Sequence, residues 1–153
     1  MNAFSDIAPV YHPPMAPYLS LLHQDADFLV FDKPSGLLSV PGRHPALTDS
    51  LLTRVQKQFP KALIVHRLDK DTSGIVLMSH NRKAHAFVAA QFEARTTQKS
   101  YVAEVWGRIE GEEGLIDLPL AIDPDNKPRH HVDFEQGKSA QTRWQVIERR
   151  VNT

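Results

Sequence analysis

The sequence contains no cysteine in 153 residues, which excludes disulfide scaffolds, thiol nucleophiles, Cys-ligated zinc and iron–sulfur clusters. It carries no net charge either. Its 18 Lys and Arg are balanced by 18 Asp and Glu, which argues against a strongly basic coat protein or an acidic disordered tail. No apolar run approaches the roughly 20 residues that span a bilayer. Residues 1–20 lack the basic n-region and apolar h-region of a signal peptide, so a cytoplasmic location is expected. No G-x-G-x-x-G follows a strand pattern and no G-x-x-x-x-G-K-[ST] occurs, which argues against dinucleotide and P-loop sites. What remains, 41% hydrophobic and 24% charged residues, is the balance of an ordinary globular chain of one domain.

Proline, by contrast, is plentiful. Eleven prolines exceed the usual share, and Pro9, Pro13, Pro14 and Pro17 fall within the first 17 residues. Proline fixes φ and lacks an N–H, so residues 1–18 are expected to be an extended arm. Residues 19–24 and 27–32 have strand character, K-P-S-G at 33–36 is turn chemistry, and L-L-S-V at 37–40 resumes the strand pattern. Leu51, Leu52, Val55 and Phe59 repeat at helical spacing, with Thr48 or Asp49 as cap and Pro60 as stop. A short strand is expected at 62–65, a polar loop at 66–74 and another strand at 74–79. A second helix over 81–95 has Asn81 as N-cap and Ala84, Phe87, Val88 and Phe92 on one stripe. Residues 101–109 are rich in strand formers, 111–114 form a turn and 121–131 a polar loop. Residues 139–146 alternate, with Ala140, Thr142, Trp144 and Val146 on one face. Strands interleaved with only two helices predict an α+β fold with a mixed, largely antiparallel sheet.

The neutral charge is unevenly distributed. Local balances are −1 over residues 1–60, +3 over 61–110, −5 over 111–126 and +3 over 127–153. Two mildly basic stretches thus flank one acidic loop, and a neutral chain of this kind still offers a basic face to phosphates.

The segment richest in chemistry is His66-Arg67-Leu68-Asp69-Lys70-Asp71-Thr72-Ser73-Gly74. It places an imidazole, a guanidinium, carboxylates and hydroxyls on one loop leaving a short strand, where reactive groups tend to sit. The plain reading is a capped turn with solvated cations. A metal site built on Asp69, Asp71 and a histidine is opposed by the intervening Lys70, and no third ligand is fixed by spacing. The adjacent His130 and His131 are no better a metal site, because eight histidines make such a pair a matter of chance. A kinase-type H-R-D loop is excluded by Leu68, which separates Arg67 from Asp69. The remaining reading is a carboxylate held ionised by the neighbouring Arg67 and acting as nucleophile or base.

H-R-L-D-K-D-T-S-G-I-V-L-M-S resembles the catalytic motif of the RluA-type pseudouridine synthases, whose signature is H-R-L-D-x-x-T-S-G. D-F-L-V-F-D-K-P-S-G-L-L-S-V-P-G-R resembles the family's strand–K-P-x-G–strand unit. Lys99-Ser100-Tyr101 resembles its K-x-Y motif, and G-K-S-A-Q-T-R-W-Q-V its later G-K-x-A-x-T strand. These four motifs occur in order across about residues 19–148. The wording of the first two is most similar to the dual-specificity subtype that modifies large-subunit rRNA and the tRNA anticodon arm.

The resemblance implies a synthase-type catalytic domain over 19–153 that isomerises uridine in structured RNA, with no cofactor and no metal. A monomer is expected. It implies Asp69 as the catalytic carboxylate, Arg67 on the RNA or in the place of the flipped base, and Tyr101 stacked on the uracil. His66, Thr72, Ser73 and Gly74 are supporting residues, and Lys33 matches a position of structural role. Lys127, Arg129 and Arg143 are candidate phosphate contacts, while Trp106 and Trp144 read as core residues of strands. Synthases of this type continue into a segment resembling G-R-[ST]-H-Q-[LI]-R, whose first arginine pairs with the catalytic aspartate. No such motif occurs in this sequence, so the expected domain is its N-terminal part. An RNA-binding homologue without catalysis and a partly folded fragment are the alternative readings.

Overall fold

The computed structural model describes residues 9–127 and 129–150. Two compact units are present, Met1–Ser100 and Tyr101–Thr153.

The first unit is built on a four-stranded antiparallel sheet in the order β1-β2-β4-β3, with β1 at Leu21–Gln24, β2 at Phe28–Lys33, β3 at Leu63–Ile64 and β4 at Gly74–Ser79. Asp25 makes the β1–β2 turn, its Oδ1 accepting the N–H groups of Asp27 and Phe28 at 2.8 and 2.7 Å. The two-residue period of β2 sends Leu29, Phe31 and Lys33 to one face, and all three are buried. Their partners across the ladder are Met78, Val76 and Gly74. Helix α1, Leu51–Gln58, closes that face with Leu51 and Val55, four residues apart. Leu37, Ala62 and Leu68 complete the core. Helix α2, Arg82–Glu93, is capped by Asn81 as expected and buries Ala84 and Val88.

Several local expectations are corrected. Residues 37–40 form no strand: the Leu38 and Ser39 carbonyls accept the first amides of α1, Leu51 and Leu52, at 2.8 and 3.1 Å, and are not available to a sheet. The cap of α1 is Ser50, in a reciprocal capping box with Thr53, because the Asp49 carboxylate is engaged by Arg54. Phe87 lies off the buried stripe of α2 and is 67% exposed.

Residues 9–18 of the proline arm form no helix or strand, bend at 16–18 and are fastened down, while residues 1–8 of the expected arm lie outside the described residues. The Arg54 guanidinium, fully buried on α1, donates to the carbonyls of Pro14 and Tyr18 at 2.9 and 3.1 Å and forms a fork to Asp49 at 2.8 and 2.7 Å. It also lies 4.5 Å from the centre of the Tyr18 ring. The Tyr11 hydroxyl donates to the Asp49 carbonyl and accepts from the Leu38 amide, at 2.9 and 3.0 Å.

The second unit holds two antiparallel ribbons: β5 (Glu113–Asp117) with β8 (Gln141–Gln145), and β6 (Leu120–Ile122) with β7 (His130–Val132). None of its described residues is buried. Of the 121–131 segment, expected to be a loop, 123–127 and 129 are without helix or strand, while its ends at 121–122 and 130–131 belong to β6 and β7. Residues 101–109, expected to be a strand, are exposed and form none: a strand needs a ladder partner, and none pairs with them among the described residues. Trp106 on this segment is 91% exposed and so is no core residue, whereas Trp144 on β8 is half-buried. Gly137, the first residue of G-K-S-A-Q-T, is dictated by space: a Cβ there would collide with the Asp133 carbonyl and the Pro119 backbone.

Candidate active site

The loop from Val65 to Ser73 joins β3 to β4, two neighbouring strands, so both its ends are set by the sheet. Gly74 opens β4 at φ +117°, a backbone state closed to other residues without strain, and this turns the loop back into register opposite Lys33.

The loop is held mainly through its own backbone. The Lys33 ammonium, buried at the end of β2, donates to the carbonyls of Pro34, Leu37 and Lys70 at 3.0, 2.7 and 3.0 Å. Three carbonyl acceptors use all three protons of a charged ammonium. Burial pushes the Lys33 pKa down, and the negative charges of Asp71 and Asp69 oppose that shift. The Gly36 amide donates to the same Lys70 carbonyl at 2.8 Å, and the Ser35 hydroxyl to the Asp71 carbonyl at 2.8 Å. The buried Ser39 hydroxyl accepts from the Leu68 amide at 3.1 Å and donates to the Leu68 carbonyl at 2.5 Å. Within the loop, the Thr72 amide donates to the Asp69 carbonyl at 3.2 Å.

His66 enters the loop in a defined state. Its Nε2 accepts the Leu77 amide at 3.1 Å, so that nitrogen is unprotonated, and the ring stacks on Phe92 with centroids 4.9 Å apart. Burial, with a smaller contribution from the Lys99 charge, pushes its pKa below the usual imidazole value.

Against this fixed frame the Asp69 side chain is exposed, and its carboxylate makes no hydrogen bond or ion pair among the described residues. Arg67 is exposed as well and forms no ion pair with Asp69, which corrects the expectation that it holds that carboxylate. Leu68 between them packs into the core and is only 8% exposed. The loop thus gathers His66, Arg67, Asp69, Thr72, Ser73 and Gly74. Tyr101, 62% exposed, begins the second unit. Lys127 and Arg129 lie in the β6–β7 connection and Arg143 on β8, all exposed. Sequence reasoning did not find Ser39, nor the tie between Lys33 and the loop. The available signal was a lysine on the core face of a strand, where an apolar residue belongs unless its charge is fully bonded.

A carboxylate that is solvent-accessible yet rigidly mounted can approach a sugar or base as nucleophile or base without reorganising its own support. Among the described residues no three His, Asp or Glu side chains converge as a metal site.

Residues 27–153 match the sequence profile of the RNA pseudouridylate synthase family. The dual-specificity RNA pseudouridine synthase RluA of Salmonella typhi is 48% identical over 138 residues, which cover 90% of this chain and 63% of that protein. The protein of the same name from Vibrio vulnificus is 46% identical over 142 residues, 93% of this chain and 57% of its own length. The chain therefore spans about three-fifths of the length of these curated relatives. Two solved structures have the same fold. The human RNA pseudouridylate synthase domain-containing proteins 1 and 4 superpose with TM-scores of 0.62 and 0.56 at 24% and 20% identity. These alignments cover 86% and 87% of this chain, and 51% and 56% of the human chains. An α+β unit carrying H-R-L-D-K-D-T-S-G on its β3–β4 loop, matched by this profile over most of the chain, belongs to the RNA pseudouridylate synthase family.

Proposed function

We propose that this chain isomerises uridine to pseudouridine in structured RNA, with Asp69 as the catalytic carboxylate. The observation that carries the reading is the exposed Asp69 carboxylate on a loop whose backbone is pinned on both sides of it, by Ser39 at Leu68 and by Lys33 at Lys70. The reaction breaks the N1–C1′ bond of uridine, turns the base and rejoins it to C1′ through C5. The proton leaves C5 and N1 gains one, so the atoms balance without oxidant or leaving group. A target uridine must first leave its stack, which costs a few kcal/mol. Arg67, exposed two residues before Asp69, suits the phosphate or the vacated place, since a guanidinium both stacks on bases and binds phosphate. Tyr101, in the K-x-Y sequence, is assigned to stacking on the flipped uracil. Lys127, Arg129 and Arg143 supply further phosphate contacts.

The substrates assigned are rRNA and tRNA stem-loops, in keeping with the dual-specificity name of the relatives and the motif wording, and the chain is taken to act as a cytoplasmic monomer. No helix among the described residues is long and apolar enough to cross a membrane. Tritium release from RNA labelled at uridine C5 tests the reading. Activity in the wild type that Asp69→Asn abolishes is expected, and retained activity in that variant refutes it. A second reading, RNA binding without turnover, draws on the absence of any cationic partner for Asp69 among the described residues. It predicts salt-dependent RNA binding that Asp69→Asn leaves unchanged, with no isomerisation.

A further inference from the structure

Resting on the assignment of Asp69 above, we propose that Ser39 is a positioning residue for that carboxylate. Ser39 is 4% exposed and lies 29 residues upstream of Leu68. Its hydroxyl engages both backbone groups of Leu68, accepting from the amide at 3.1 Å and donating to the carbonyl at 2.5 Å. One side chain thereby does for Leu68 what a ladder partner does for a strand residue. The peptide it holds is the one that leads into Asp69.

The far side of the hydroxyl is equally fixed. The Ser39 carbonyl accepts the Leu52 amide at 3.1 Å, and the neighbouring Leu38 carbonyl accepts the Leu51 amide at 2.8 Å. Leu38 also donates its own amide to the Tyr11 hydroxyl at 3.0 Å. Leu51 and Val55 root that helix turn in the core. The hydroxyl is therefore a short link from the helix turn rooted in the core to the residue before Asp69. Lys33 secures Lys70 on the other side, but it does not reach Leu68, and no other side chain among the described residues bonds the Leu68 backbone. Removing the hydroxyl leaves a buried N–H and a buried C=O unpaired at once. They regain partners only if the loop opens to water, which moves Asp69.

Amide hydrogen exchange on the RNA-free chain tests the link. In Ser39→Ala the Leu68 amide exchanges about tenfold faster, the loss expected for one buried hydrogen bond. Amides of Leu29 and Val76 in the sheet stay within about twofold, and Ser39→Thr, which keeps the hydroxyl, slows Leu68 again. Should Ser39→Ala not fold, Ser39→Cys keeps the volume with a weak donor and acceptor and carries the same comparison. Unchanged exchange at Leu68, or a rise shared equally by loop and sheet, overturns the proposal. With RNA, Ser39→Ala lowers kcat about tenfold or more and leaves KM within about twofold, since an ångström of misplacement is felt in the chemical step. A loss confined to KM also overturns it. Failure of the functional assignment shows separately, as turnover retained by Asp69→Asn, and the exchange measurement does not depend on turnover.

Discussion

Arg54→Ala is expected to destabilise the first unit by about 3 kcal/mol, the lower end of the range for breaking a buried ion pair. The lower end applies because the Arg54 side chain is 0% exposed but that of Asp49 is 33% exposed, so water recovers part of the orphaned carboxylate's solvation. The carbonyls of Pro14 and Tyr18 also lose their donors, and they can hydrate only by lifting the arm off α1. The variant should thus lose stability and release the arm together. Urea denaturation followed by far-UV circular dichroism isolates the event, since both α1 and α2 lie in the first unit. With an m-value of about 2 kcal/mol/M, the midpoint falls by about 1.5 M. Chymotrypsin should then cut at Tyr11 and Tyr18, which the arm's contacts protect in the parent chain. The pH dependence has a defined sign. Hydrogen bonding to Arg54 lowers the Asp49 pKa, so the pair's contribution is fully present above the unfolded value near pH 4 and is lost as pH falls through the lower folded value. Arg54→Ala should accordingly show a flatter acid limb. A midpoint shift below about 0.5 M with the arm still protected would refute the reasoning and mean that core packing alone holds this face.

Three further outcomes are expected. His66 is kept neutral by burial and by the Leu77 amide at its Nε2, so its contribution is complete above the unfolded pKa near 6.5 and fades as pH falls through the lower folded value; an NMR titration should place it below the usual imidazole value, and His66→Gln should flatten the stability loss between pH 7 and 5. Gly74→Ala meets no steric neighbour but must adopt φ +117°, costing about 1–3 kcal/mol, read from the urea midpoint; a cost below about 0.5 kcal/mol means the loop re-forms around another turn. The Ser79 hydroxyl is buried with no hydrogen-bond partner among the described residues, so Ser79→Ala should be neutral or stabilising by up to about 1 kcal/mol in the same assay, and a clear loss would reveal a partner for it.

Elements whose signals are local were legible in the sequence. Strand β4 runs from Gly74 to Ser79 as its apolar run and flanking glycine indicate, and Asn81 caps α2. Where the backbone bonds elsewhere, the local pattern misled. The 37–40 stretch has strand composition, yet its Leu38 and Ser39 carbonyls serve α1. Asp49 is a good capping residue by type, yet its carboxylate is taken by an arginine five residues on. The strand formers at 101–109 show that composition without a partner does not make a strand. The candidate site divides the same way. Its exposed groups lie within nine consecutive residues and were found together, whereas the groups that hold them, Lys33 and Ser39, act across gaps of 37 and 29 residues that no local periodicity encodes. The absence of an Arg67–Asp69 ion pair among the described residues is likewise not reported by spacing alone, since both side chains are solvent-exposed.

Because Lys33, Ser35, Gly36 and Ser39 all grip main-chain atoms of residues 68, 70 and 71, the loop's shape is uncoupled from the identity of its outward side chains. Lys70 is exposed and could be exchanged for a group of other charge without removing a bond of the mount, whereas the charge of Asp71 supports the buried Lys33 ammonium. The rim around Asp69 is in that sense an adjustable electrostatic dial on a fixed bearing: its attraction for different phosphate backbones can be retuned while the carboxylate keeps its place.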